Sequence, residues 1–266
     1  MYKIIVSDLD GTLLNSSHKI SNYTKKIIKL LKEKGIKFIL ATGRHHLDTI
    51  ALANEIGNDF YLITNNGAKI LYKDESVITE YIENDILKEL LNFKVSSKIS
   101  KNIFTETGWY TNKYIGIFMD KHLDTACEPQ VADLNLIGEK VIKFFFMGEN
   151  IKEICEIEKN LKSKVSFNDK LLISTSEKYC LEVTAKGVNK GEALKKILLR
   201  EKINFADVIA FGDGFNDKEM LSFAGKGIIV ENSNNKELKK ILLENETIDN
   251  SFSDGVANYL KKIYEL

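Results

Sequence analysis

The chain has 266 residues, of which 44% are apolar and 29% are charged, and its 38 basic side chains balance its 38 acidic ones. A chain of this length can bury a large core, either as one domain with an insertion or as two domains in tandem. The balanced charge gives no electrostatic argument for nucleic acid or an anionic membrane surface as a partner.

The first part of the chain alternates between short apolar runs and amphipathic segments. The predicted strands are residues 4–6, 36–41 and 60–64, and the predicted helices lie between Ser21 and Gly35 and at residues 46–56. Residues 69–82 follow as a hairpin with Asp74 near its tip. A strand, a helix and a strand in this order form a right-handed crossover unit, which predicts a parallel sheet.

The alternation breaks near Glu83 and returns after Thr184. Between them the predicted helices are residues 85–93, 114–123 and 151–161, and the predicted strands lie at 141–147 and near Ile103, Trp109, Val165, Leu172 and Leu181. Helices and strands mixed in this irregular order indicate an α+β unit. Because the earlier rhythm resumes afterwards, the unit is predicted to be inserted rather than appended.

The last part of the chain restores the alternation. Its predicted helices are residues 190–202, a segment containing Met220 and Leu221, residues 236–243 and a segment starting at Ser253, and its predicted strands are residues 208–211 and 227–230. The sequence therefore predicts an α/β protein. Its doubly wound, mostly parallel, Rossmann-like core sheet comes from residues 1–83 and 185–266, and residues 84–184 form an inserted α+β cap. Ligands of such sheets bind beyond the carboxyl ends of the strands.

Two aspartates follow the first strand at a spacing that suits paired chemistry. Asp8 and Asp10 lie on the same side of a regular strand, whereas a turn at Asp10, which Gly11 permits, separates the two side chains. One carboxylate can then attack phosphorus while the other exchanges a proton, since two roles require two environments. The alternative is an acidic turn that is merely solvated.

Two further segments suit an anion. Thr42 offers a hydroxyl at the end of the second strand, and Gly43 offers an exposed N–H at a helix start. A threonine that only caps the helix is the alternative. Lys190 lies at the start of a helix, where the helix dipole disfavours a cation, so its position suggests an anion nearby. Its alternative is an ordinary solvated lysine.

A third acidic cluster follows the predicted strand at residues 208–211. Asp213, Asn216 and Asp217 are separated by a few residues, and glycines beside them allow a tight turn. Hard oxygen ligands at this spacing favour Mg²⁺, which keeps several waters and takes one or two carboxylates. The alternative is an acidic turn that caps the next helix.

Taken together, four segments resemble the motifs of the haloacid dehalogenase-like phosphatases. They are residues 8–14 (DLDGTLL), residues 41–44 (ATGR), Lys190, and residues 212–217 (GDGFND). Further segments, at residues 63–68 (ITNNGA), 187–191 (GVNKG) and 253–256 (SDGV), are similar to the Cof-type branch (subfamily IIB) with its large class C2 cap. The resemblance covers the whole core in order. It departs at Glu231, Asn232 and Ser233, where the family usually has glycine followed by Asn-Ala, and this puts the geometry of that loop in doubt.

The resemblance implies a role for each motif residue. It implies that Asp8 is the nucleophile that forms an aspartyl-phosphate, and that Asp10 protonates the leaving oxygen and then activates water. It also implies Mg²⁺ bound by the Asp8 carboxylate, the Asp10 backbone carbonyl and Asp213, with Asp217 supporting the outer shell. The residues implied to hold the phosphoryl oxygens are Thr42, Gly43, Lys190 and Asn216.

The function predicted from these features is Mg²⁺-dependent hydrolysis of small phosphorylated metabolites, such as sugar phosphates, with the cap selecting the leaving group. A phosphotransferase or mutase on the same fold, and a non-catalytic protein that binds phosphorylated metabolites, are the alternatives. The sequence offers four cap side chains that could contact the substrate and does not choose among them. They are Trp109, Tyr110, Tyr114 and His122.

Apolar runs and cysteine spacing also predict the compartment and the partners of the protein. No apolar run reaches the roughly 20 residues of a membrane span, and no basic segment followed by an apolar stretch begins the chain. Cys127, Cys155 and Cys180 are widely spaced and odd in number, which favours thiols in a reducing compartment. We therefore expect a cytoplasmic monomer whose partner is a small phosphorylated substrate, with no nucleic acid and no membrane.

Overall fold

A computed structural model describes residues 1–57, 59, 61–73, 75–123, 125–232, 236–249 and 254–266. Its strands are β1 (Ile4–Ser7), β2 (Lys37–Ala41), β3 (Tyr61–Thr64), β4 (Lys69–Tyr72), β5 (Glu75–Thr79), β6 (Ser100–Phe104), β7 (Trp109–Thr111), β8 (Pro129–Val131), β9 (Lys143–Met147), β10 (Leu171–Glu177), β11 (Cys180–Ala185), β12 (Val208–Gly212), β13 (Lys226–Val230) and β14 (Glu246–Ile248). Its helices are α1 (Asn22–Glu33), α2 (His46–Asn54), α3 (Asn84–Leu91), α4 (Gly116–Met119), α5 (Ile151–Ser163), α6 (Val165–Asn168), α7 (Lys190–Glu201), α8 (Lys218–Phe223), α9 (Lys236–Ile241) and α10 (Gly255–Tyr264).

The chain divides into two compact units. The core unit comprises Met1–Val77 and Asn189–Leu266, and the inserted unit comprises Ile78–Val188. The boundaries predicted from the sequence, after residues 83 and 184, differ from these by a few residues at each end. A cap role for the inserted unit stays a prediction.

The core unit is built on one sheet, whose strand order is β14-β13-β12-β1-β2-β3-β4-β5. Parallel pairing runs from β14 to β3, and β4 pairs antiparallel with β3. Ile5 of β1 is in register with Phe38 of β2 and Ile209 of β12. The predicted mostly parallel α/β sheet is confirmed, and the carboxyl ends of β1, β2 and β12 lie side by side.

Helix α1 shows how the local sequence fixes an element of the core unit. Ser21 caps the helix, since its Oγ accepts a hydrogen bond from the Thr24 N–H at 3.0 Å. Gly35 follows the helix with a φ of +80°, a left-handed conformation that glycine adopts without strain. The apolar face of the helix is buried in a cluster that includes Ile5. The buried apolar residues of this face are Ile27, Ile28 and Leu31.

The inserted unit has its own sheet, whose strand order is β10-β11-β9-β6-β7-β8. Strand β9 pairs antiparallel with both β6 and β11. Helices α3 and α5 pack on this sheet through a hydrophobic cluster that includes Leu90, Ile154, Phe144 and Leu181. This is the α+β arrangement predicted for the middle of the chain.

The structure corrects two predictions in the inserted unit. Val165 begins helix α6 rather than a strand, and this helix follows directly after α5. Its buried side chain is Phe167, whereas Val165 is 86% exposed. The helix predicted at residues 114–123 is shorter, since Ile115 is extended with a φ of −126° and residues 120–122 form a separate 3₁₀ turn. Both corrections concern single helical turns, which hydrophobic periodicity detects poorly.

Strands β8 and β14 are not predicted by the sequence. Each is a three-residue strand at the edge of its sheet, and the middle residues Gln130 and Thr247 are exposed. Neither therefore shows the continuous apolar run that identifies a strand buried on both faces.

Some predicted positions and properties lie away from these elements. Phe60, Asp74 and Ser253, predicted in a strand, a hairpin and a helix start, lie outside the described residues. Within the described ranges, no helix combines the length and the apolarity needed to cross a membrane.

A buried ion pair lies inside the inserted unit. Lys143 Nζ is 2.8 Å from Glu182 Oε1, and only 4% and 8% of the two side chains are exposed. The ammonium also lies 4.6 Å from the centre of the Phe104 ring, which is a cation–π contact. Removing one partner of such a pair leaves the other charge buried, which is far more destabilising than losing an exposed pair.

Replacing Lys143 with methionine is expected to destabilise the inserted unit by about 3–5 kcal/mol, because Glu182 stays buried without its cation. Urea unfolding followed by the fluorescence of Trp109, the single tryptophan of the chain, measures the loss within this unit. The matched control is Lys162→Met, since the more exposed pair of Lys162 with Glu158 on α5 contributes about 0.3–0.5 kcal/mol. Equal losses in the two variants would contradict this expectation.

Candidate active site

Polar side chains follow three neighbouring strands at one edge of the core sheet. Asp8 and Asp10 follow β1, Thr42 and Gly43 follow β2, and Asp213 follows β12. Because β1 pairs in parallel with both β2 and β12, the residues after their carboxyl ends meet. The start of α7 reaches the same place.

Lys190, the first residue of α7, joins these segments. Its Nζ lies 2.7 Å from Asp8 Oδ1 and 2.7 Å from Asp217 Oδ1, and its side chain is fully buried. This position rules out the solvated lysine that the sequence left open. Burial disfavours the charge, but the charges of Asp217 and Asp8 outweigh burial and raise the pKa of Lys190 above its usual value. The residue is therefore a cation at the centre of the site.

Three carboxylates lie close together beside this cation, and two of them contact it. Asp8, Asp213 and Asp217 each offer an oxygen, and these oxygens lie within 4.8 Å of one another. Burial raises the pKa of Asp213 to about 6, with a further rise from the charge of Asp217. Burial also raises the pKa of Asp8 well above its usual value, despite the opposing charge of Lys190. When all three carboxylates are ionised, the cluster carries more negative charge than one lysine neutralises.

The donor set of this cluster fits a divalent cation such as Mg²⁺. All three groups are hard oxygen donors of the kind that magnesium prefers, and a divalent cation would offset the surplus negative charge. The Asp213 carboxylate fits beside Gly11 only because glycine has no side chain. A Cβ at Gly11, whose φ is +77°, would lie 2.5 Å from Asp213 Oδ2. Thr12 orients the same carboxylate by donating its hydroxyl to Asp213 Oδ1 at 2.6 Å.

Asp217 holds the loop after β12 in shape. Its Oδ2 accepts hydrogen bonds from the N–H groups of Asp213 and Gly214, both at 3.0 Å, while Oδ1 accepts from Lys190. Its neighbour Asn216 donates Nδ2 to the side chain of another loop, described below. Both oxygens of Asp217 are thus used inside the site, and its side chain does not cap α8.

Asp10 has a separate environment. Arg44 binds both oxygens of its carboxylate, with Nε and one terminal nitrogen each 2.6 Å away, and His18 Nδ1 lies 3.5 Å from Oδ1. Partial burial acts to raise the pKa of Asp10, but hydrogen bonds from Arg44 and His18 outweigh it and hold that pKa well below its usual value. The side chain is also 46% exposed to solvent. The pKa values of Asp8 and Asp10 therefore shift in opposite directions in the metal-free site, and the lower one belongs to Asp10.

Replacing Arg44 with glutamine is expected to raise the pKa of Asp10 by at least about one pH unit, because an adjacent cation lowers the pKa of a carboxyl by about 1–3 units. An NMR titration of the metal-free protein, labelled with carbon-13 at the aspartate carboxyls, measures the change. The control is His18→Gln, whose effect is expected to be smaller because its contact is longer and more exposed. An unchanged Asp10 pKa in the R44Q variant would show that the two hydrogen bonds from Arg44 do not lower the pKa of this carboxyl.

The loop after β2 is fixed by its own backbone and by a neighbouring turn. Thr42 does not cap α2, whose N-cap is His45; its Oγ1 instead accepts a hydrogen bond from the Arg44 N–H at 3.1 Å. Gly43 approaches Asn66 closely, since a Cβ on Gly43 would lie 2.9 Å from Asn66 Oδ1. Thr42 and Gly43 therefore lie in a tightly packed loop whose next residue, Arg44, binds Asp10.

Several residues that contact the predicted ones were given no role by the sequence. They are Thr12, His18, Arg44, Asn66 and Asn232. Thr12, Arg44 and Asn66 lie inside the motif segments quoted above, and membership of a motif is the only sequence feature that could have marked them as site residues. Asn232 donates its side-chain amide to Asp213 Oδ2, so the stretch that departs from the family pattern still contributes to the site; its Ser233 lies outside the described residues. Nothing in the sequence marks His18.

The four candidate side chains of the inserted unit lie in different settings. Trp109 is buried and donates Nε1 to Asn102 Oδ1 at 3.0 Å, so it belongs to the interior of the unit. His122 packs against the Trp109 ring, with ring centres 5.1 Å apart. Tyr110 is half-buried and Tyr114 is exposed. Trp109 is therefore a packing residue, as buried aromatic side chains commonly are.

Comparisons with known proteins show the family of the chain. Residues 5–260 match the family model described as haloacid dehalogenase-like hydrolase. A Haemophilus influenzae protein named "Putative phosphatase" is 36% identical over 269 residues, which cover 100% of this chain and 98% of the relative. A Yersinia pseudotuberculosis protein named "HMP-PP phosphatase" is 32% identical over 267 residues, which cover 98% of this chain and 94% of the relative.

The fold is shared with solved structures as well. A haloacid dehalogenase-like hydrolase from Bacteroides thetaiotaomicron has a TM-score of 0.86 at 26% identity, over 99% of this chain and 100% of that one. The resemblance predicted from the motifs is confirmed. The chain belongs to the haloacid dehalogenase-like hydrolases and is a phosphatase.

Proposed function

We propose that this phosphatase hydrolyses small phosphorylated metabolites with Mg²⁺, through an aspartyl-phosphate formed on Asp8. The observation that carries the proposal is the position of Lys190, whose buried ammonium contacts Asp8 on one side and Asp217 on the other. Phosphoryl transfer depends mainly on positioning and charge neutralisation. A buried cation beside the attacking carboxylate supplies both.

The carboxylates of Asp8 and Asp213 and the backbone carbonyl of Asp10 would bind Mg²⁺, with Asp217 supporting them. When bound, the ion neutralises negative charge on the phosphoryl group and helps to orient it. Two observations support this assignment: the surplus negative charge of the cluster, and the room that Gly11 leaves for Asp213.

The reaction would proceed in two displacements at phosphorus. In the first, an oxygen of the Asp8 carboxylate attacks phosphorus while the bond to the leaving oxygen breaks, and Asp10 gives that oxygen a proton. In the second, Asp10 takes a proton from water, the water oxygen attacks phosphorus, and the bond to Asp8 breaks to release inorganic phosphate. The groups proposed to hold the phosphoryl oxygens are Lys190, the Thr42 hydroxyl, the Gly43 N–H and the Asn216 amide.

The contacts of Asp10 bear on its two proposed roles. Arg44 and His18 stabilise the ionised carboxylate, which is the form that can accept a proton from water. Pairing of both Asp10 oxygens with Arg44 favours the charged form of the carboxyl. To donate a proton in the first displacement, Asp10 must therefore break its hydrogen bonds with Arg44. We therefore expect the contact between Asp10 and Arg44 to break when substrate binds.

The proposed substrate class is small phosphate esters, with the inserted unit acting as the cap that selects the leaving group. One relative is named for HMP-PP, so HMP-PP belongs beside sugar phosphates in a substrate panel. Comparing kcat/KM across that panel, with Mg²⁺ present, identifies the preferred leaving group.

Rapid acid quenching of the protein with Mg²⁺ and 4-nitrophenyl phosphate, followed by peptide mass spectrometry, tests the proposed intermediate. One added phosphoryl group on the peptide that carries Asp8 is expected, and chelation of magnesium should abolish it. Turnover without any phosphorylated Asp8 peptide would indicate direct attack by water instead. Transfer of phosphate to an added sugar in preference to water would favour the phosphotransferase alternative.

A further inference from the structure

A three-residue turn, Asn65–Gly67, follows β3 and has no part in the proposed chemistry. Its residues have positive φ angles of 51°, 55° and 97°, in the left-handed region that glycine adopts freely and that asparagine adopts more readily than other side chains but at a cost. The turn belongs to the motif segment at residues 63–68. It contacts three segments of the site, and these contacts define its role.

The backbone of the turn holds the loop after β2. The Asn66 N–H donates to the Thr42 carbonyl at 2.9 Å, and the Asn65 N–H donates to the Arg44 carbonyl at 3.0 Å. These two hydrogen bonds flank Gly43, whose N–H is proposed to bind a phosphoryl oxygen. Since a Cβ on Gly43 would lie 2.9 Å from Asn66 Oδ1, the loop and the turn are packed without spare room.

The side chain of Asn66 reaches the loop after β12. Its Oδ1 accepts a hydrogen bond from Asn216 Nδ2 at 3.0 Å. This bond restricts rotation of the Asn216 amide and so directs its remaining polar groups. Asn66 thereby orients a side chain that is proposed to assist phosphate binding.

The last residue of the turn packs against the start of α7. A Cβ on Gly67 would lie 2.7 Å from the carbonyl carbon of Asn189 and 3.2 Å from Ala193 Cβ. Asn189 is the N-cap of α7, where its Oδ1 accepts a hydrogen bond from the Glu192 N–H at 2.8 Å. The start of this helix, and with it Lys190, is therefore fixed against the turn.

The turn gains little stability from its own residues. Left-handed asparagines strain the backbone, and Asn65 Oδ1 is buried with no hydrogen-bond partner among the described residues. Glycine would adopt the same backbone with less strain. Strain that the surrounding structure maintains is typical of functional sites.

We propose that the turn Asn65–Gly67 is the positioning element of the phosphate site and that Asn66 is its main positioning residue. It sets the Gly43 N–H, the Asn216 amide and Lys190 relative to one another before substrate binds. This role rests on the proposed function, in which those three groups hold the phosphoryl oxygens.

The Asn66→Gly variant separates positioning from folding, because glycine keeps the left-handed backbone and removes only the amide. Inorganic phosphate, used as an inhibitor of 4-nitrophenyl phosphate hydrolysis with saturating Mg²⁺, is expected to bind up to about tenfold more weakly, because the Asn216 amide loses the hydrogen bond that orients it. The melting temperature is expected to change little, since relief of the left-handed strain offsets the lost hydrogen bond and the added freedom of glycine in the unfolded chain. A lower melting temperature with unchanged phosphate inhibition would overturn the proposal.

The Gly67→Ala variant tests the link to Lys190. Its new Cβ must displace Asn189, so kcat/KM is expected to fall at least about a hundredfold. The matched control is Gly35→Ala, since Gly35 also has a left-handed φ of +80° but has no described atom within 4 Å of its Cβ position. The control is expected to lose thermal stability and to keep kcat/KM. Equal activity losses in both variants would overturn the link.

Failure of this role and failure of the proposed function give different results. If the wild-type protein forms the phosphorylated Asp8 peptide while Asn66→Gly matches it in phosphate inhibition, only the positioning role is wrong. If the wild-type protein forms no such peptide, the proposed intermediate is wrong, and the phosphate inhibition constants still report on Asn66.

Discussion

Replacing Asp8 with asparagine is expected to lower kcat by at least about 10⁴-fold, because an amide oxygen is not a competent nucleophile toward phosphorus. Steady-state hydrolysis of 4-nitrophenyl phosphate at saturating Mg²⁺ measures the loss. The asparagine keeps an oxygen that can accept a hydrogen bond from Lys190 Nζ, so the site should keep its shape. A D8N variant that retained a tenth of the wild-type turnover would exclude Asp8 as the nucleophile.

Stability measurements on the same variant separate lost chemistry from lost structure. Because burial, with the charges of Asp217 and Asp213, raises the pKa of Asp8 despite the opposing charge of Lys190, ionising this carboxyl destabilises the folded, metal-free protein relative to the unfolded chain. Removing that charge is expected to leave the melting temperature equal or higher. The control is Asp207→Asn. Asp207 lies just before the amino end of β12, away from the site, and its carboxylate is 2.8 Å from Lys3 Nζ. The kcat of this control variant is expected to equal that of the wild type.

Replacing Lys190 with methionine is expected to lower both stability and activity. Without the ammonium, Asp8 and Asp217 become buried carboxylates that lack their cation, which destabilises the core unit by about 3–5 kcal/mol. The same change removes a phosphate-binding cation, so kcat/KM should fall by about 10²–10³-fold or more. Urea unfolding and 4-nitrophenyl phosphate hydrolysis measure the two losses.

The pH dependence of the Lys190 variant has a definite sign. The pKa of Asp8 is already raised in the wild type, and losing the opposing charge of Lys190 raises it further. A group whose pKa is higher in the folded state stabilises that state as pH falls, so the stability deficit should shrink as pH is lowered. Lys195→Met is the matched control, since Lys195 lies on the same helix in an exposed pair with Glu192. Wild-type stability of the K190M variant at pH 8 would contradict the assigned ion pairs.

Hydrophobic pattern predicted the core sheet because its central strands are buried on both faces. Strands β1 and β12 are continuous apolar runs that end at polar clusters, which is the pattern of a parallel sheet. The same signal fails for β8 and β14, whose residues are largely exposed at sheet edges. It also fails at Val165, which begins a four-residue helix and is 86% exposed while Phe167 takes the buried position.

Spacing along the chain found candidate residues but could not find the partners that orient them. Polar side chains directly after buried strands stand out, as Asp8 and Asp213 do. The hydrogen bond from Thr12 to Asp213 joins residues 201 positions apart, and no local pattern reports such a contact. The pairing of Asp10 with Arg44 likewise joins residues 34 positions apart.

The strand order of the core sheet has a consequence for folding during synthesis. The central strand β1, Ile4–Ser7, pairs on one side with β12, which begins only at Val208. The inserted unit is one continuous segment, Ile78–Val188, so its sheet can form while the ribosome is still making β12. Until then β1 presents an apolar strand with one unpaired edge, and this edge is where we expect the nascent chain to be vulnerable to aggregation.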